Sequence, residues 1–521
     1  MHVVIVGGGT AGWMSAAYLR SRLAPQDYGI TLVESDDIGT VGVGEATLPQ
    51  IKFFNDRLGL DEARFMRATR ATFKLGIEFR DWNRPGDAYM HPFGAFGEPW
   101  GGVEFQHHWL RGLQDGQQHF PLQDYSYAVA AARHDAFEFP DEDPGSIRST
   151  YSYAYHFDAG LYANYLRSWA EERGVRRIEG EVCDVGRHPT RGDLLELTLK
   201  SGERIRGDFF LDCSGFRSLL LGRVLRVGWE DWTRWLPCDR ALAVPCARAS
   251  VLTPYTRATA RKAGWTWRIP LQHRTGNGYV YSSRFLSDED ARDALLAGLE
   301  SAAPGEPRLL RFSPGRRAQA WSANCVAIGL ASGFLEPLES TSIYLIQAAV
   351  TDLVNLMPRS PLPSRLPGPP GSASPVIDPR LAAEFNRRNE LQYERIRDFL
   401  VLHYVANHRD GEPLWDYARS MPLPDSLAHK LELFRSRAAL PSHQHGLFSR
   451  DSWLAVLVGQ GIVPEGYDRL ADAFSAPALQ ERLATWRNRI QTNVAAMSSH
   501  TAFVSSYCAA PEVSTSEEAA A

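Results

Sequence analysis

Lysine, paired cysteine and long apolar runs are all scarce in this chain of 521 residues, and these shortages exclude several classes of protein. The six cysteines are scattered and form no C-x-x-C pair, so we expect neither a zinc ribbon nor a disulfide framework, and a reducing compartment fits. No run of about 18 apolar residues occurs, which argues against a membrane-spanning helix. A net charge of −5 gives no indication of a nucleic-acid partner.

The rest of the composition is that of an ordinary globular protein, with 44% hydrophobic and 22% charged residues. Because the chain is too long for one simple core, we expect two or three structural units. An apolar strand pattern already begins at His2, which leaves no room for a signal peptide, and a cytoplasmic location is therefore expected.

The first 34 residues have the pattern of a βαβ unit that binds a dinucleotide. An apolar run from His2 to Val6 leads into Gly7-Gly8-Gly9-Thr10-Ala11-Gly12, which fits G-x-G-x-x-G and opens a helical segment. Glycines there permit a tight turn and a close approach of the backbone to a pyrophosphate at the start of a helix. Glu34 ends the next strand, where a carboxylate accepts hydrogen bonds from ribose hydroxyls and disfavours NADP. We expect the cofactor to be held by Gly7, Gly9, Thr10, Ala11, Gly12 and Glu34.

The choice between NAD and FAD depends on residues farther along the chain. A second buried strand ends in Asp212-Cys213-Ser214-Gly215, a second contact that is common in FAD proteins with two dinucleotide-binding domains. Val182 lies where the backbone of such proteins meets the adenine. No second G-x-G-x-x-G is present for a nicotinamide cofactor. FAD is therefore the predicted cofactor, and a separate reductase is expected to reduce it.

The order of the predicted elements indicates an α/β protein. We expect an FAD-binding module over residues 1–357, with an interleaved mixed sheet on the substrate side from about 80–150 and 225–320. Residues 358–377 are rich in proline and predict a linker or loop. A C-terminal helical region over 378–508 and a disordered tail over 509–521 complete the expected organisation.

Three further motifs separate the possible flavoproteins. They are Thr72-Phe73-Lys74-Leu75-Gly76-Ile77, the W-x-W-x-I-P segment Gly264-Trp265-Thr266-Trp267-Arg268-Ile269-Pro270, and Phe334-Leu335-Glu336-Pro337-Leu338-Glu339-Ser340-Thr341. Together with the loop from Gly42 to Pro49, they resemble the FAD-dependent tryptophan halogenases in order and surroundings, from residue 2 to about residue 500.

This resemblance implies a Rossmann-like fold of the flavin monooxygenase type. It also implies FADH2 delivered by a flavin reductase in trans, a chloride or bromide ion, and a small aromatic substrate. The oligomeric state stays open, with a homodimer as one alternative.

The resemblance also assigns roles to single residues. Lys74 and Glu339 match the catalytic pair, and Thr341 and Ser342 match positions whose backbone N–H groups bind halide. The family usually has Gly where this chain has Ser342, so the preference between chloride and bromide stays open. Further positions that match contacts of the flavin, or that lie beside it, are Ala46, Leu330, Ile343, Trp265 and Trp267. Two tryptophans at i and i+2 are equally typical of one face of a buried strand.

The chemistry supports the same pair of catalytic residues. Hypohalous acid is indiscriminate, so it must be captured by a donor in a water-poor place, and a secluded lysine can hydrogen-bond it or form a haloamine. Only five of the 56 basic residues are lysine, and Lys74 has apolar neighbours, although an ordinary strand lysine is the alternative. Attack on an aromatic ring produces a cation that must lose a proton, which a carboxylate can accept. Glu336 is the alternative to Glu339.

The substrate is expected to be an indole or another electron-rich aromatic. The family enzymes that act on free tryptophan carry a Phe-Trp pair, Tyr-Tyr, Asn and an acid in the C-terminal helices. The corresponding stretch here, from Leu447 to Leu454, keeps Phe448 and Trp453 but not that pattern. The candidate residues of the substrate pocket are Phe93, Phe96, His107 and Trp453.

Two other functions stay open at this point. A flavin monooxygenase that hydroxylates an aromatic would share the fold and FAD but would need neither Lys74 nor Glu339. A flavin-binding protein without catalysis would consume no aromatic. The histidine pairs at 107–108 and 443–445 lack a second ligand set, so we expect no metal.

Overall fold

The computed structural model describes residues 1–38, 45–114, 120–357, 378–441 and 446–511. The predicted Pro-rich linker, Gly42 and Gly44 of the predicted loop, and most of the predicted tail lie outside these residues. The chain forms two compact units. The first comprises Met1–Thr69, Phe157–Thr233 and Phe312–Glu394, and the second Arg70–His156, Arg234–Arg311 and Arg395–Ala521.

The first unit is built on a six-stranded sheet with the predicted dinucleotide-binding strand in its interior. Four of its five pairs of neighbouring strands are parallel, and only the hairpin between Cys325–Ala327 and Trp321–Ser322 is antiparallel. The central strands are buried on both faces, as is usual for parallel sheets covered by helices. In spatial order the strands are Trp321–Ser322, Cys325–Ala327, Phe209–Asp212, His2–Val6, Gly29–Glu34 and Arg176–Glu179.

Within the described residues, two small antiparallel sheets and the five α-helices named below complete the first unit. One sheet contains Val182–Arg187, Leu194–Leu199 and Arg204–Arg206, and the other Trp229–Asp231, Gly315–Arg317 and Gly333–Phe334. The short strand Glu45–Ala46 also belongs to this unit. The helices are Thr10–Arg22, Gln50–Leu58, Glu62–Ala68, Ala159–Glu171 and Thr341–Leu356.

The second unit contains a mixed sheet of seven strands, which confirms that the fold includes a second, mixed sheet. All neighbouring pairs are antiparallel except Thr256–Arg261 with Gly76–Arg80. In spatial order the strands are Arg308–Arg311, Arg240–Ala247, Arg274–Tyr281, Gly264–Pro270, Thr256–Arg261, Gly76–Arg80 and Ala88–Pro92.

Helices dominate the C-terminal part, as predicted. The strand Thr72–Lys74 pairs antiparallel with the strand Ala154–Phe157. The strand Ala154–Phe157 and the helix Pro379–Val405 each include residues of both units. Among the described residues, no helix is both long and apolar enough to cross a membrane. The helices of the second unit are Phe105–Gln114, Tyr127–Arg133, Asp288–Ala297, Pro413–Ser420, Asp425–Arg437, Arg450–Gly459, Ala476–Ala495 and His500–Tyr507.

Two stretches of the chain form shorter strands than their residue patterns indicate. The run 177–185 is two strands interrupted at Gly180, where a Cβ atom would lie 2.8 Å from Leu199 Cδ1. The run 326–330 leaves the sheet after Ala327, because Gly329 has a left-handed φ of +70° and starts a tight turn. A side chain on Gly329 would lie 2.9 Å from Ala11 Cβ, so the turn packs directly against the first helix.

Candidate active site

The glycines of the first turn are required by space. A Cβ atom on Gly7 would lie 2.3 Å from Cys213 O, on Gly8 1.4 Å from Glu34 Oε2, and on Gly12 1.8 Å from Gly7 O. The helix Thr10–Arg22 follows with no side-chain cap and no acidic residue in its first turn. Its first N–H groups can therefore donate to a pyrophosphate, and the turn fits the dinucleotide predicted for it.

Glu34 lies beside this turn, and one of its oxygens is already engaged. Arg177 Nε donates to Glu34 Oε1 at 2.5 Å, and Arg167 lies 3.6 Å from the same oxygen. The Oε2 oxygen lies towards Gly8. Arg177 was not predicted, and no motif marks it, because it comes from the edge strand Arg176–Glu179, far along the chain.

Asp212 lies at the end of its strand but is fully buried, and both its oxygens accept hydrogen bonds from its own loop. Oδ2 accepts from the backbone N–H groups of Leu220 and Leu221, both at 2.8 Å, and Oδ1 from Ser214. The carboxylate thus shapes the loop 214–221. Any influence of Asp212 on a cofactor is expected to act through that loop.

The turn that carries Glu339 is strained. Glu336, Glu339 and Ser340 have φ values of +62°, +63° and +58°, a region that non-glycine residues occupy at a cost of about 1–3 kcal/mol each. Both glutamates are buried. Such strain is typical of residues that the surrounding structure holds in place for a function.

Directly after this turn, the helix Thr341–Leu356 begins with features that suit an anion. No side chain caps its N-terminus, and its first turn contains no acidic residue. The buried Oγ1 of Thr341 finds no hydrogen-bond partner among the described residues. Ser342 is half-buried, Ile343 is buried, and Leu330 is half-buried in the turn Gly329–Ala331. Free N–H donors at a helix N-terminus attract negative charge.

Lys74 lies in the second unit and is completely buried. It ends the strand Thr72–Lys74, opposite Ala154, and its Nζ lies 5.1 Å from the centre of the Phe93 ring. The preceding Phe73 stacks on Phe137 with ring centres 4.0 Å apart. The amine is thus secluded from bulk water in aromatic surroundings.

Two buried histidines, His156 and His500, form hydrogen bonds with the strand of Lys74, and His156 is the first of them. Thr256 Oγ1 donates to His156 Nε2, and His156 Nδ1 donates to Thr72 Oγ1, which in turn donates to Pro270 O. Burial, and secondly the charge of Lys74, lowers the pKa of His156 well below its usual value. His156 is therefore neutral at ordinary pH.

His500 fixes the next residue of the same strand. The backbone N–H of Phe73 donates to His500 Nε2 at 3.1 Å, so the proton of the ring is on Nδ1, which donates to Leu252 O at 2.7 Å. Burial lowers the pKa of His500 to about 4. Neither histidine was predicted, because no local motif marks them.

Replacing His500 with Gln is expected to make the protein more resistant to acid. The unfolded chain takes up a proton on His500 below about pH 6.5, whereas the folded protein does so only near pH 4. The stability due to this neutral ring is therefore complete above pH 6.5 and falls by up to about 1.4 kcal/mol per pH unit towards pH 4. Gln keeps one donor and one acceptor but does not titrate. Circular dichroism should place the acid-unfolding midpoint of His500→Gln at lower pH.

The exposed His134 provides the control for this experiment. His134→Gln should leave the midpoint unchanged. An unchanged midpoint for His500→Gln as well would mean that this histidine does not resist protonation in the folded state.

Five rings extend from Lys74 through the second unit, and we call them the aromatic row: Phe93, His91, Phe399, Phe448 and Trp453. The centre of the His91 ring lies 6.2 Å from Phe93, 5.6 Å from Phe399 and 6.0 Å from Phe448. Phe399 stacks on Phe448 at 3.8 Å and meets Trp453 edge-on at 5.0 Å. The fold thus brings together Phe93 and Trp453, which were predicted as pocket residues, and adds His91 and Phe399.

Comparisons with known proteins show which family the chain belongs to. The family model described as tryptophan halogenase matches residues 2–476. The chain belongs to the tryptophan halogenase family. It is 37% identical to the tryptophan 6-halogenase SttH of Streptomyces toxytricini over 489 residues, which cover 88% of this chain and 89% of that one. It is 34% identical to the tryptophan 7-halogenase RebH of Lentzea aerocolonigenes, with 89% and 90% covered. The structure of BrvH, a flavin-dependent halogenase from Brevundimonas sp. BAL3, matches with a TM-score of 0.91 and 43% identity over 98% of this chain and 99% of that one.

This halogenase therefore has the predicted fold and cofactors. It is a flavin-dependent enzyme that halogenates an aromatic substrate, and it uses FAD in its reduced form together with a halide ion. The glycine turn fits the pyrophosphate of that cofactor, and buried Ala46 and the strand beginning at Val182 lie in the same unit.

The two tryptophans of the W-x-W-x-I-P motif lie on one face of the strand Gly264–Pro270 in the halogenase. Both are buried, and their rings lie 6.2 Å apart. A Cβ atom on Gly278 would lie 2.1 Å from the ring of Trp267, so that ring covers the neighbouring strand. Neither indole N–H has a hydrogen-bond partner among the described residues. The pair is part of the packed sheet of the second unit.

Phe96 and His107 of the halogenase lie apart from the aromatic row. The backbone N–H of Phe96 donates to Asp451 Oδ1, and His107 Nδ1 accepts from the backbone of Asp468. Burial lowers the pKa of His107. Among the described residues, no ring contact joins either side chain to the row, so we retain Phe93 and Trp453 as the better supported pocket candidates.

Proposed function

We propose that this enzyme halogenates indole or an indole-like arene, with Lys74 capturing the oxidised halogen and Glu339 accepting the ring proton. The observation that carries the proposal is the complete burial of Lys74 beside the aromatic row. Hypohalous acid reacts with most electron-rich groups, so a selective enzyme must keep it from diffusing freely. A buried amine next to aromatic rings meets that requirement.

Lys74 is expected to hold the halogen in one of two ways. Its ammonium can donate a hydrogen bond to the oxygen of hypohalous acid, or its neutral amine can form a haloamine. The two neutral histidines add no charge of their own, and they hold the side chain of Thr72 and the backbone N–H of Phe73. The position of the amine is thus set by rigid neighbours, which a selective transfer requires.

Glu339 supplies the second group that the reaction needs. Attack of the halogen on the arene produces a cation, and a buried carboxylate can stabilise that charge and then accept the proton from the ring carbon. Glu336 is buried in the same turn, but the family resemblance assigns the role to Glu339. The left-handed backbone of Glu339 fixes the direction in which its side chain leaves the turn.

The cofactor and the halide are assigned to the first unit. Gly7, Gly9, Thr10, Ala11, Gly12 and Glu34 would hold the FAD, and the first N–H groups of the helix at Thr341 and Ser342 would bind the halide. When bound, reduced FAD and O2 supply the oxidation of halide to hypohalous acid. Because the sequence has no second dinucleotide motif, we propose that a separate flavin reductase delivers the FADH2.

The substrate proposal follows from the aromatic row. The relatives SttH and RebH are named as tryptophan halogenases, but the clamp pattern for free tryptophan is absent between Leu447 and Leu454. Phe448 and Trp453 persist and pack with Phe399 into an apolar aromatic surface, Phe448 face to face and Trp453 edge-on. Such a surface suits an indole ring without requiring an amino-acid group.

Mass spectrometry tests this function directly. The protein is incubated with FAD, a flavin reductase, NADH, bromide and a panel of indoles that includes free tryptophan. We expect a bromine isotope doublet on indole and a weaker one on tryptophan. Hydroxylated product formed without halide would instead establish a monooxygenase, and no modified arene in any reaction would contradict both activities.

A further inference from the structure

A second lysine, Lys430, is buried in the same unit as Lys74. It lies on the helix Asp425–Arg437 with 6% of its surface exposed, and its Nζ is 4.1 Å from the centre of the Trp453 ring. Of the five lysines in the chain, Lys200 and Lys262 are exposed and Lys52 forms ion pairs on a helix surface. A buried lysine is therefore unusual in this protein and needs an explanation.

The ammonium of Lys430 has no hydrogen bond or ion pair with any residue that the structure describes. The acid that acts electrostatically on Lys430 is Asp398, but Arg397 donates to its Oδ1 and Ser426 to its Oδ2. Burial lowers the pKa of Lys430 to about 8, against the opposing effect of Asp398. A buried cation without a counter-charge is costly unless something else satisfies it.

The contact with Trp453 places Lys430 at one end of the aromatic row. Trp453 meets Phe399, which continues through His91 to Phe93, and Phe93 lies against Lys74. A buried amine thus stands at each end of the row. Asp451 lies two residues from Trp453 on the same helix, so its side chain points to a different face and does not neutralise Lys430.

We propose that Lys430 is a specificity-determining residue that binds a carboxylate on the aromatic substrate while the substrate ring packs against the aromatic row. This inference rests on the proposed function and narrows its substrate class to indoles with an anionic side chain. The positive charge would attract a carboxylate and repel an ammonium group in surroundings of low dielectric constant. It would therefore disfavour substrates whose only charge is a basic amine.

Three 3-substituted indoles with similar ring electronics test the proposal: indole-3-acetate, 3-methylindole and tryptamine. The complete enzyme with FAD, reductase and bromide should halogenate the acetate most efficiently and tryptamine least. For Lys430→Met, we expect the ratio of kcat/KM for indole-3-acetate to that for 3-methylindole to fall by about tenfold or more, mostly through KM. Lys430→Glu should reverse the order of indole-3-acetate and tryptamine. Lys262→Met, at an exposed lysine, is the matched control and should leave the ratio unchanged.

A role of Lys430 in packing alone would give a different result. Lys430→Met would then lower kcat/KM for all three indoles by the same factor, and the proposal would be wrong. If Lys430→Met does not fold, Lys430→Arg serves in its place, because it keeps the charge and should keep the ratio. The proposal would also be wrong if Lys430→Arg lost the preference for indole-3-acetate and Lys430→Glu did not reverse the order of indole-3-acetate and tryptamine. Failure of the wild-type enzyme to halogenate any indole would instead overturn the proposed function.

Discussion

Lys74→Met should abolish halogenation while the reduced flavin is still reoxidised. Met fills nearly the same volume, so the strand Thr72–Lys74 and its contacts with His156 and His500 should persist. Without the amine, hypohalous acid has no buried acceptor and is lost to water. We expect the yield of brominated indole per FADH2 to fall by at least about 10³-fold, within the range of a lost catalytic proton-transfer or nucleophilic group. Chromatography measures the yield of brominated indole, and flavin absorbance with a peroxide assay measures the reoxidation of the reduced flavin.

Lys52 offers a control on the surface for this experiment. Its ion pairs with Asp56 and Glu62 are partly exposed at a helix surface, and such pairs contribute little to stability. Lys52→Met should therefore brominate indole like the wild type. The role of Lys74 would be refuted if Lys74→Met formed as much brominated indole per FADH2 oxidised as the wild type does.

Glu339→Gln should lower the rate of halogenation about 10²-fold, the scale of a lost general base. Gln preserves the shape and the strained turn but cannot accept a proton or carry negative charge. Binding of FAD should be unaffected because the glycine turn at Gly7–Gly12 is a separate element. Single-turnover measurements of bromoindole formation, compared with the KM for indole, separate a slower chemical step from weaker binding.

Glu336→Gln distinguishes the two buried glutamates of that turn. Both have left-handed backbone and negligible exposure, so damage to the turn itself should affect the two variants alike. We expect a much smaller loss of rate for Glu336→Gln. A larger loss for Glu336→Gln than for Glu339→Gln would transfer the role of the base to Glu336.

Several elements could be predicted because their physical requirement is local. Gly12 leaves no space for a side chain because a Cβ atom there would lie 1.8 Å from Gly7 O, and this need is visible as a short spacing in the sequence. The residue at which a strand ends depends on distant contacts as well as on the local pattern. The apolar run at 326–330 continues beyond the sheet, because packing of Gly329 against Ala11 turns the chain before the run ends.

The contacts of two predicted cofactor residues, Asp212 and Glu34, could not be inferred from the sequence. Asp212 lies at the end of a strand, a position typical of residues that contact a ligand. Its carboxylate instead accepts hydrogen bonds from backbone N–H groups of the loop 214–221. Glu34 was expected to meet a ribose, and Arg177 binds one of its oxygens. Neither contact can be inferred from spacing, since each joins segments that only the sheet and its loops bring together.

The sequence by itself determined the dinucleotide turn, the family and the two segments that carry Lys74 and Glu339, because short motifs record what the backbone and the reaction demand at one place. Only the tertiary structure decided that Lys74 is completely buried, that His500 binds the backbone of Phe73 across 427 positions, and that Lys430 lies on Trp453 at the end of a row of rings. Burial and long-range contacts arise from the packing of distant segments, and no local pattern of residues encodes which of those segments will meet.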